Sequence, residues 1–122
     1  MILVDSSGWI EYLAARPKAD KFSPYIEGDE PLLTSVIQVY EIYKVVRRDI
    51  SEERAIESIS ALHATQIESL AESLALEAAD IALEHGLAMA DAIIFATARK
   101  HQADIITADS DFDGLPGVTL IR

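Results

Sequence analysis

Four carboxylates stand where carboxylates are costly. Asp91 interrupts the apolar run Met89-Ala90-Asp91-Ala92-Ile93-Ile94-Phe95. On a helix, residues three and four apart share a face, so Asp91 lines up with Ile94 and Phe95 on the side that should be buried. Glu41 is set in the same way between Val39-Tyr40 and Ile42-Tyr43. Asp5 ends the run Ile2-Leu3-Val4, and Asp109 follows Ile105-Ile106-Thr107 after one intervening residue. A buried carboxylate must be paired or neutralised.

Each acid alone has an ordinary structural role. Asp5 can cap a helix, Asp91 can complement the positive end of its helix, Asp109 can open a turn, and Glu41 can face solvent. Together they repel. Two charges 4 Å apart cost about 4 kcal/mol at an effective dielectric near 20, so converging acids require protons or cations. An oxygen-only donor set selects Mg²⁺ or Mn²⁺, whereas zinc would want His or Cys. The chain has no cysteine, and His63, His85 and His101 are widely spaced. Such a site binds phosphate oxygens, acidifies a bound water and stabilises the leaving oxygen of an in-line displacement. That is the chemistry of phosphodiester hydrolysis. The sequence contains no Walker loop and no GxGxxG, which argues against a nucleotide cofactor, and no Ser-His-Asp set is apparent.

The elements that must position these acids follow from periodicity. Apolar runs at 2–4, 32–34, 104–107 and 118–120 read as strands, with a weaker one at 65–68. Ser6 or Ser7 caps a helix that ends before Pro17, and residues 18–27 allow a poorer one. Ser35 opens a long helix with Val36, Val39, Tyr40, Tyr43 and Val46 as its stripe. Ser51 opens another, reaching about Leu62. Ser69 or Ser73 caps a helix running to His85, where Gly86 stops it. A last helix spans about Ala88–His101. Short apolar strands alternating with helices predict an α/β fold with a parallel sheet covered on both faces. Ligands in such folds bind beyond the carboxyl ends of the strands, where strand order reverses, and all four acids can meet at that edge.

The 122 residues suit one domain, 1–122, and half of them are hydrophobic. No apolar stretch approaches the roughly 20 residues of a membrane span. The N-terminal segment lacks the basic start of a signal peptide, so a cytoplasmic location is expected. A net charge of −11 opposes simple capture of a polyanion. Nucleic-acid binding would need local cations. Lys44, Arg47 and Arg48 follow Glu41 on its helix, Arg99 and Lys100 follow Asp91, and Lys18 and Lys21 form a third group. Trp9, Tyr12, Tyr40 and Tyr43 fit core or dimer surface by their helical spacing, with base stacking as the alternative.

Three segments carry a family likeness: MILVDSSGWIEYL, TSVIQVYEIYK with Glu41, and LAMADAIIFATARKHQADIITADSDF. The chain resembles the PIN domain family, and within it the VapC-like ribonuclease toxins of toxin–antitoxin pairs. The resemblance implies a three-layer α/β/α fold with a central parallel sheet of about five strands. It implies an Mg²⁺- or Mn²⁺-dependent endoribonuclease with Asp5, Glu41, Asp91 and Asp109 as catalytic acids and metal ligands. Asp111 would be an acid just outside them, and Ser6 or Ser7 and Thr107 would hold ligands or water by hydrogen bonds. It also implies a homodimer inhibited by an antitoxin peptide lying across the active groove.

Two other classes compete. A receiver-type phosphoacceptor domain needs an Asp after a mid-chain strand and a Lys after a late one. Residues 50–70 contain no apolar run ending in Asp, and no Lys follows Thr107 or Leu120. A catalytically idle PIN-like binding protein would keep the fold and the partner surface without cleaving. Cleavage of DNA is a third outcome of the same chemistry.

Overall fold

A computed structural model describes all residues, 1–122. In chain order it contains β1 (Ile2–Val4), α1 (Ser6–Leu13), α2 (Ala19–Ile26), β2 (Leu32–Ser35), α3 (Val36–Asp49), α4 (Glu52–Leu62), β3 (Gln66–Glu68), α5 (Glu72–His85), α6 (Met89–Lys100), β4 (Asp104–Thr107) and β5 (Val118–Leu120), with a single 3₁₀ turn at Ser110–Phe112. The five strands form one parallel sheet in the order β3-β2-β1-β4-β5. Helices cover both faces, giving the three-layer α/β/α architecture that the alternation of elements predicts.

The pleat divides the core. Successive strand residues point to opposite faces. Leu3, Leu33 and Ile105, which are register neighbours, face α5 and α6 together with Phe95 and Ile94. Ile2, Val4 and Ile106 face the other layer, with Trp9, Phe22, Ile42 and Leu62. Helix α6 is buried without interruption from Ala92 to Ala98. Thr97 fits there because its hydroxyl donates to the Ile93 carbonyl at 2.7 Å. No single helix is long and apolar enough to cross a membrane.

Several local expectations change. The buried line of α3 is Gln38, Ile42 and Val46, while Val36 is exposed and Tyr40 is 60% exposed. Gln38 accounts for this shift. Its Oε1 accepts from the Ser35 amide at 3.0 Å and its Nε2 donates to the Val4 carbonyl at 2.8 Å. The Ser35 hydroxyl accepts from the Ile37 amide, completing a reciprocal capping box. A polar residue satisfied at both ends can occupy a core position that an apolar stripe would otherwise claim. Asp5, rather than Ser6 or Ser7, takes the N-cap position of α1, and its side chain makes no capping bond. Ala71 rather than a serine precedes α5, which closes as expected on Gly86 at φ 68°.

Candidate active site

The chain runs outward from β1 through β2 to β3, then returns to the other side of β1 for β4 and β5. Strand order therefore reverses between β1 and β4, and a crevice opens outside their carboxyl ends. Asp5 is the residue after β1, and Thr107 is the last of β4. Pairing of Val4 with Ile106 brings them side by side.

Asp5 is 3% exposed. Its Oδ2 accepts from Thr107 Oγ1 at 2.8 Å and from Ser7 Oγ at 3.0 Å. Both hydroxyls also accept: Ser7 from the Ala108 amide at 3.2 Å, Thr107 from the Asp109 amide at 2.9 Å. The carboxylate, the start of α1 and the loop after β4 thus form one hydrogen-bonded unit. Asp109 caps the 3₁₀ turn, accepting from the Asp111 amide at 2.9 Å. Glu41 arrives from α3, one turn beyond the Gln38 anchor, and accepts from Ser6 Oγ at 2.8 Å. Asp91 stands in the first turn of α6. Carboxylate oxygens of Asp91, Asp109 and Asp111 lie within 4.8 Å of one another. Asp111 thus stands within ligand-sharing distance of Asp91 and Asp109, on an exposed position.

The electrostatics join all five acids. Burial pushes the Asp5 carboxyl up; the Thr107 and Ser7 bonds oppose this, and Asp109 adds to it. Burial also raises Glu41, against its bond from Ser6, while Asp5 raises it further and Lys44 lowers it. Asp91 is displaced most, from 3.8 to about 7. Desolvation is the first cause, followed by repulsion from Asp109, Asp5, Asp111 and Glu41. The donor set is oxygen alone, and the cluster carries more negative charge than it can hold comfortably at neutral pH. Both properties suit a hard divalent cation such as Mg²⁺ or Mn²⁺.

The other candidate residues separate into two groups. Lys44, Arg47 and Arg48 lie with Tyr40 and Tyr43 around a groove of about 570 Å³ on the outer side of α3. Arg48 is held by Asp49 through two bonds, and Arg47 stands 3.8 Å from Glu52. Arg99 lies at the opposite end of α6 from Asp91, over the Phe95 ring at 5.8 Å, so the structure does not bring it to the acids. Lys100 and His101 both engage Glu68. All three histidines close helices, His63 on α4, His85 on α5 and His101 on α6. Trp9 is buried in the core, and Tyr12 is half-buried, donates to Glu27 and meets the Trp9 ring edge-on at 6.4 Å. Gln38 is the supporting residue that the sequence reading passed over. Its signal was the Ser35-x-x-Gln38 spacing of a capping box.

Strand order also separates this fold from the receiver-type alternative, whose sheet runs 2-1-3-4-5. The PIN domain family model matches residues 2–118. No curated protein matches the chain by sequence. Among solved structures, a chain of a toxin–antitoxin complex from Klebsiella pneumoniae is 28% identical, with a TM-score of 0.82, over 98% of this chain and 96% of that one. VapC20 of Mycobacterium tuberculosis, described as a sarcin-ricin-loop-cleaving toxin, is 19% identical with a TM-score of 0.83, covering 97% of each chain. A chain of the FitAB structure bound to the IR36 DNA fragment is 27% identical with a TM-score of 0.72, over 98% of this chain and 94% of that one.

Proposed function

The chain belongs to the PIN domain family, and on that premise we propose that residues 1–122 act as one nuclease domain, a VapC-type ribonuclease toxin that hydrolyses RNA phosphodiester bonds with Mg²⁺ or Mn²⁺. The observation that carries this reading is the convergence of five acids at the β1/β4 switch point, with Asp91 pushed to about 7 by its neighbours and its burial.

Asp5, Glu41, Asp91 and Asp109 would hold the cation, with Asp111 at the solvent side. When bound, the ion supplies charge neutralisation, a more acidic water and stabilisation of the leaving oxygen. The protein's own groups do the positioning. Ser7 and Thr107 fix Asp5 Oδ2, and Ser6 fixes Glu41 Oε1. Both carboxylates are thereby presented in one orientation, at no cost in reorganisation when substrate arrives. Without a cation, Asp91 carries a proton part of the time near pH 7, and it would release that proton to hold a cation.

The toxin–antitoxin neighbour at 28% identity supports an antitoxin partner. The homodimer and the cytoplasmic location belong to the same reading. An apolar groove of about 410 Å³ between α5 and α6, lined in part by exposed Met89, and the exposed Leu76 and Leu83 of α5 offer a partner chain surface to cover.

The test is cleavage of total RNA by purified protein with Mg²⁺ or Mn²⁺, with EDTA, and with Asp91→Asn in parallel. Discrete metal-dependent fragments that disappear in Asp91→Asn are expected. Metal binding without cleavage of total RNA would favour the catalytically idle alternative, and cleavage confined to DNA would reassign the substrate.

A further inference from the structure

We propose that Gln38 is a positioning residue for the acid site: its carboxamide replaces one rung between β1 and β2 and thereby sets the place of Glu41 relative to Asp5. This rests on the metal-dependent ribonuclease reading above, and it concerns how the chain presents two of the acids that would hold the cation.

The sheet shows where the rung is replaced. β1 and β2 are in register at Ile2↔Leu32 and Leu3↔Leu33, and their pairing goes no further. Both strands continue on their other sides, β1 with β4 at Val4↔Ile106 and β2 with β3 at Ser35↔Glu68. The Ile2 amide donates to the Pro31 carbonyl, which fixes the phase of the ladder. In a parallel pair of that phase, the next rung at this end would run from the Ser35 amide to the Val4 carbonyl. Gln38 stands between these two groups. Its Oε1 accepts from the Ser35 amide at 3.0 Å, and its Nε2 donates to the Val4 carbonyl at 2.8 Å. An inserted carboxamide is wider than a direct N–H···O contact, so the two strands are held apart at the end where the acids gather.

The side chain suits this place. It is 0% exposed and brings no charge to the acids. A capping box needs only an acceptor here, which a glutamate would also supply. Glutamine adds a neutral donor, and that donor reaches β1 rather than α3. Both bonded backbone groups adjoin the site. Val4 precedes Asp5, and Ser35 caps the helix that carries Glu41. Glu41 follows Gln38 by one turn, about 4.5 Å along the axis. Its carboxylate accepts from Ser6 Oγ at 2.8 Å. Gln38 therefore fixes the base of the arm that Ser6 holds at its tip. Freeing the base lets α3 slide against β1 and carries Glu41 away from Asp5, so a cation would have to gather its ligands on binding.

The experiment measures Mn²⁺ binding at 10 °C, through the electron paramagnetic resonance signal of the free ion, for wild type, Gln38→Met, Ser35→Ala and Val46→Ala. Methionine keeps the bulk of the side chain and makes neither bond. Ser35→Ala removes the hydroxyl that accepts from Ile37 but leaves both Gln38 bonds, and Val46→Ala opens a cavity under the far end of the same helix. Gln38→Met should weaken Mn²⁺ binding roughly tenfold. The two controls should stay within about twofold of wild type, although both lower stability. In RNA cleavage by Gln38→Met, the Mn²⁺ concentration for half-maximal rate should rise by the same factor, with the rate at saturating Mn²⁺ within about threefold of wild type. Hydrogen exchange in the wild type reads the coupling from the other side. Coupling is reciprocal, so saturating Mn²⁺ should slow exchange of the Ser35 amide about tenfold, and this decides the matter if Gln38→Met does not fold. Wild-type affinity in Gln38→Met, an equal loss in Val46→Ala, or a Ser35 amide indifferent to Mn²⁺ would overturn the positioning role, and a wild type that cleaves RNA would leave the ribonuclease reading standing. The expected affinities in a protein that cleaves no RNA would uphold the positioning role and overturn that reading. A wild type that binds no Mn²⁺ would overturn both.

Discussion

Replacing Asp91 by Asn should make the metal-free protein more stable at neutral pH. The carboxyl of Asp91 is raised from 3.8 to about 7, chiefly by desolvation and then by Asp109, Asp5, Asp111 and Glu41. Below pH 3.8 the folded and unfolded chains both carry the proton, and the site exacts no penalty. As pH rises towards 7, the unfolded chain ionises while the folded one does not, and stability is progressively lost. Above pH 7 the penalty is constant. At 1.36 kcal/mol per pH unit its ceiling is ~4 kcal/mol. Asp91 is only half-buried, and solvent screening reduces this to about 2 kcal/mol. Loss of an acid in the first turn of α6 gives back about 0.5 kcal/mol. The net gain for Asp91→Asn at pH 8 is therefore about 1.5 kcal/mol, roughly 5 °C in a domain of this size. The assay is thermal unfolding followed by circular dichroism in EDTA, from pH 8 down to pH 4. The gain should be full at pH 8 and nearly gone at pH 4. A variant no more stable than wild type at pH 8, or a gain independent of pH, would refute the view that the five acids repel in the empty site.

Millimolar Mn²⁺ should invert that order. Wild type gains ~2.7 kcal/mol at a hundredfold excess over Kd, while Asp91→Asn gains much less, as differential scanning fluorimetry would show. Thr107→Val keeps the shape of β4 but removes a bond to the buried Asp5, and should cost roughly 1–3 kcal/mol in urea unfolding. Cleavage should fall with it, because Asp5 loses one of the two groups that orient it. Gln38→Ala leaves the Val4 carbonyl and the Ser35 amide without their side-chain partner, and should lower stability by about 2–3 kcal/mol without altering the salt dependence of RNA binding.

The acids were legible because a carboxylate inside an apolar run is anomalous and asks for a reason. Asp5, Glu41, Asp91 and Asp109 could be placed at one sheet edge from strand and helix order alone. What escaped the sequence was side-chain pairing across distance. The carboxylate of Asp5 turns to Ser7 and to Thr107, which joins it from the far end of the chain, so a local capping rule could not foresee its direction. The phase of α3 was hidden because hydropathy discounts a buried glutamine, and Gln38 is held by partners on β1 and at its own cap. Which cations stay free was equally non-local. Nothing near Lys100 in sequence announces Glu68, and Arg16 reaches Asp49 from another helix.

The central strand of the sheet is also the first to be synthesised. β1 waits between its neighbours until β4 exists, and the Thr107 bond to Asp5 closes across 102 positions. At 5–20 residues per second, a ribosome takes roughly 5–20 s to travel from one to the other. During that interval the nascent chain gains Glu41 but lacks Thr107, the β4 residue that seats Asp5, and Asp91 and Asp109 come late. Such distant pairing slows folding as well. A chain built in this order completes its acid cluster only near the end of its own synthesis.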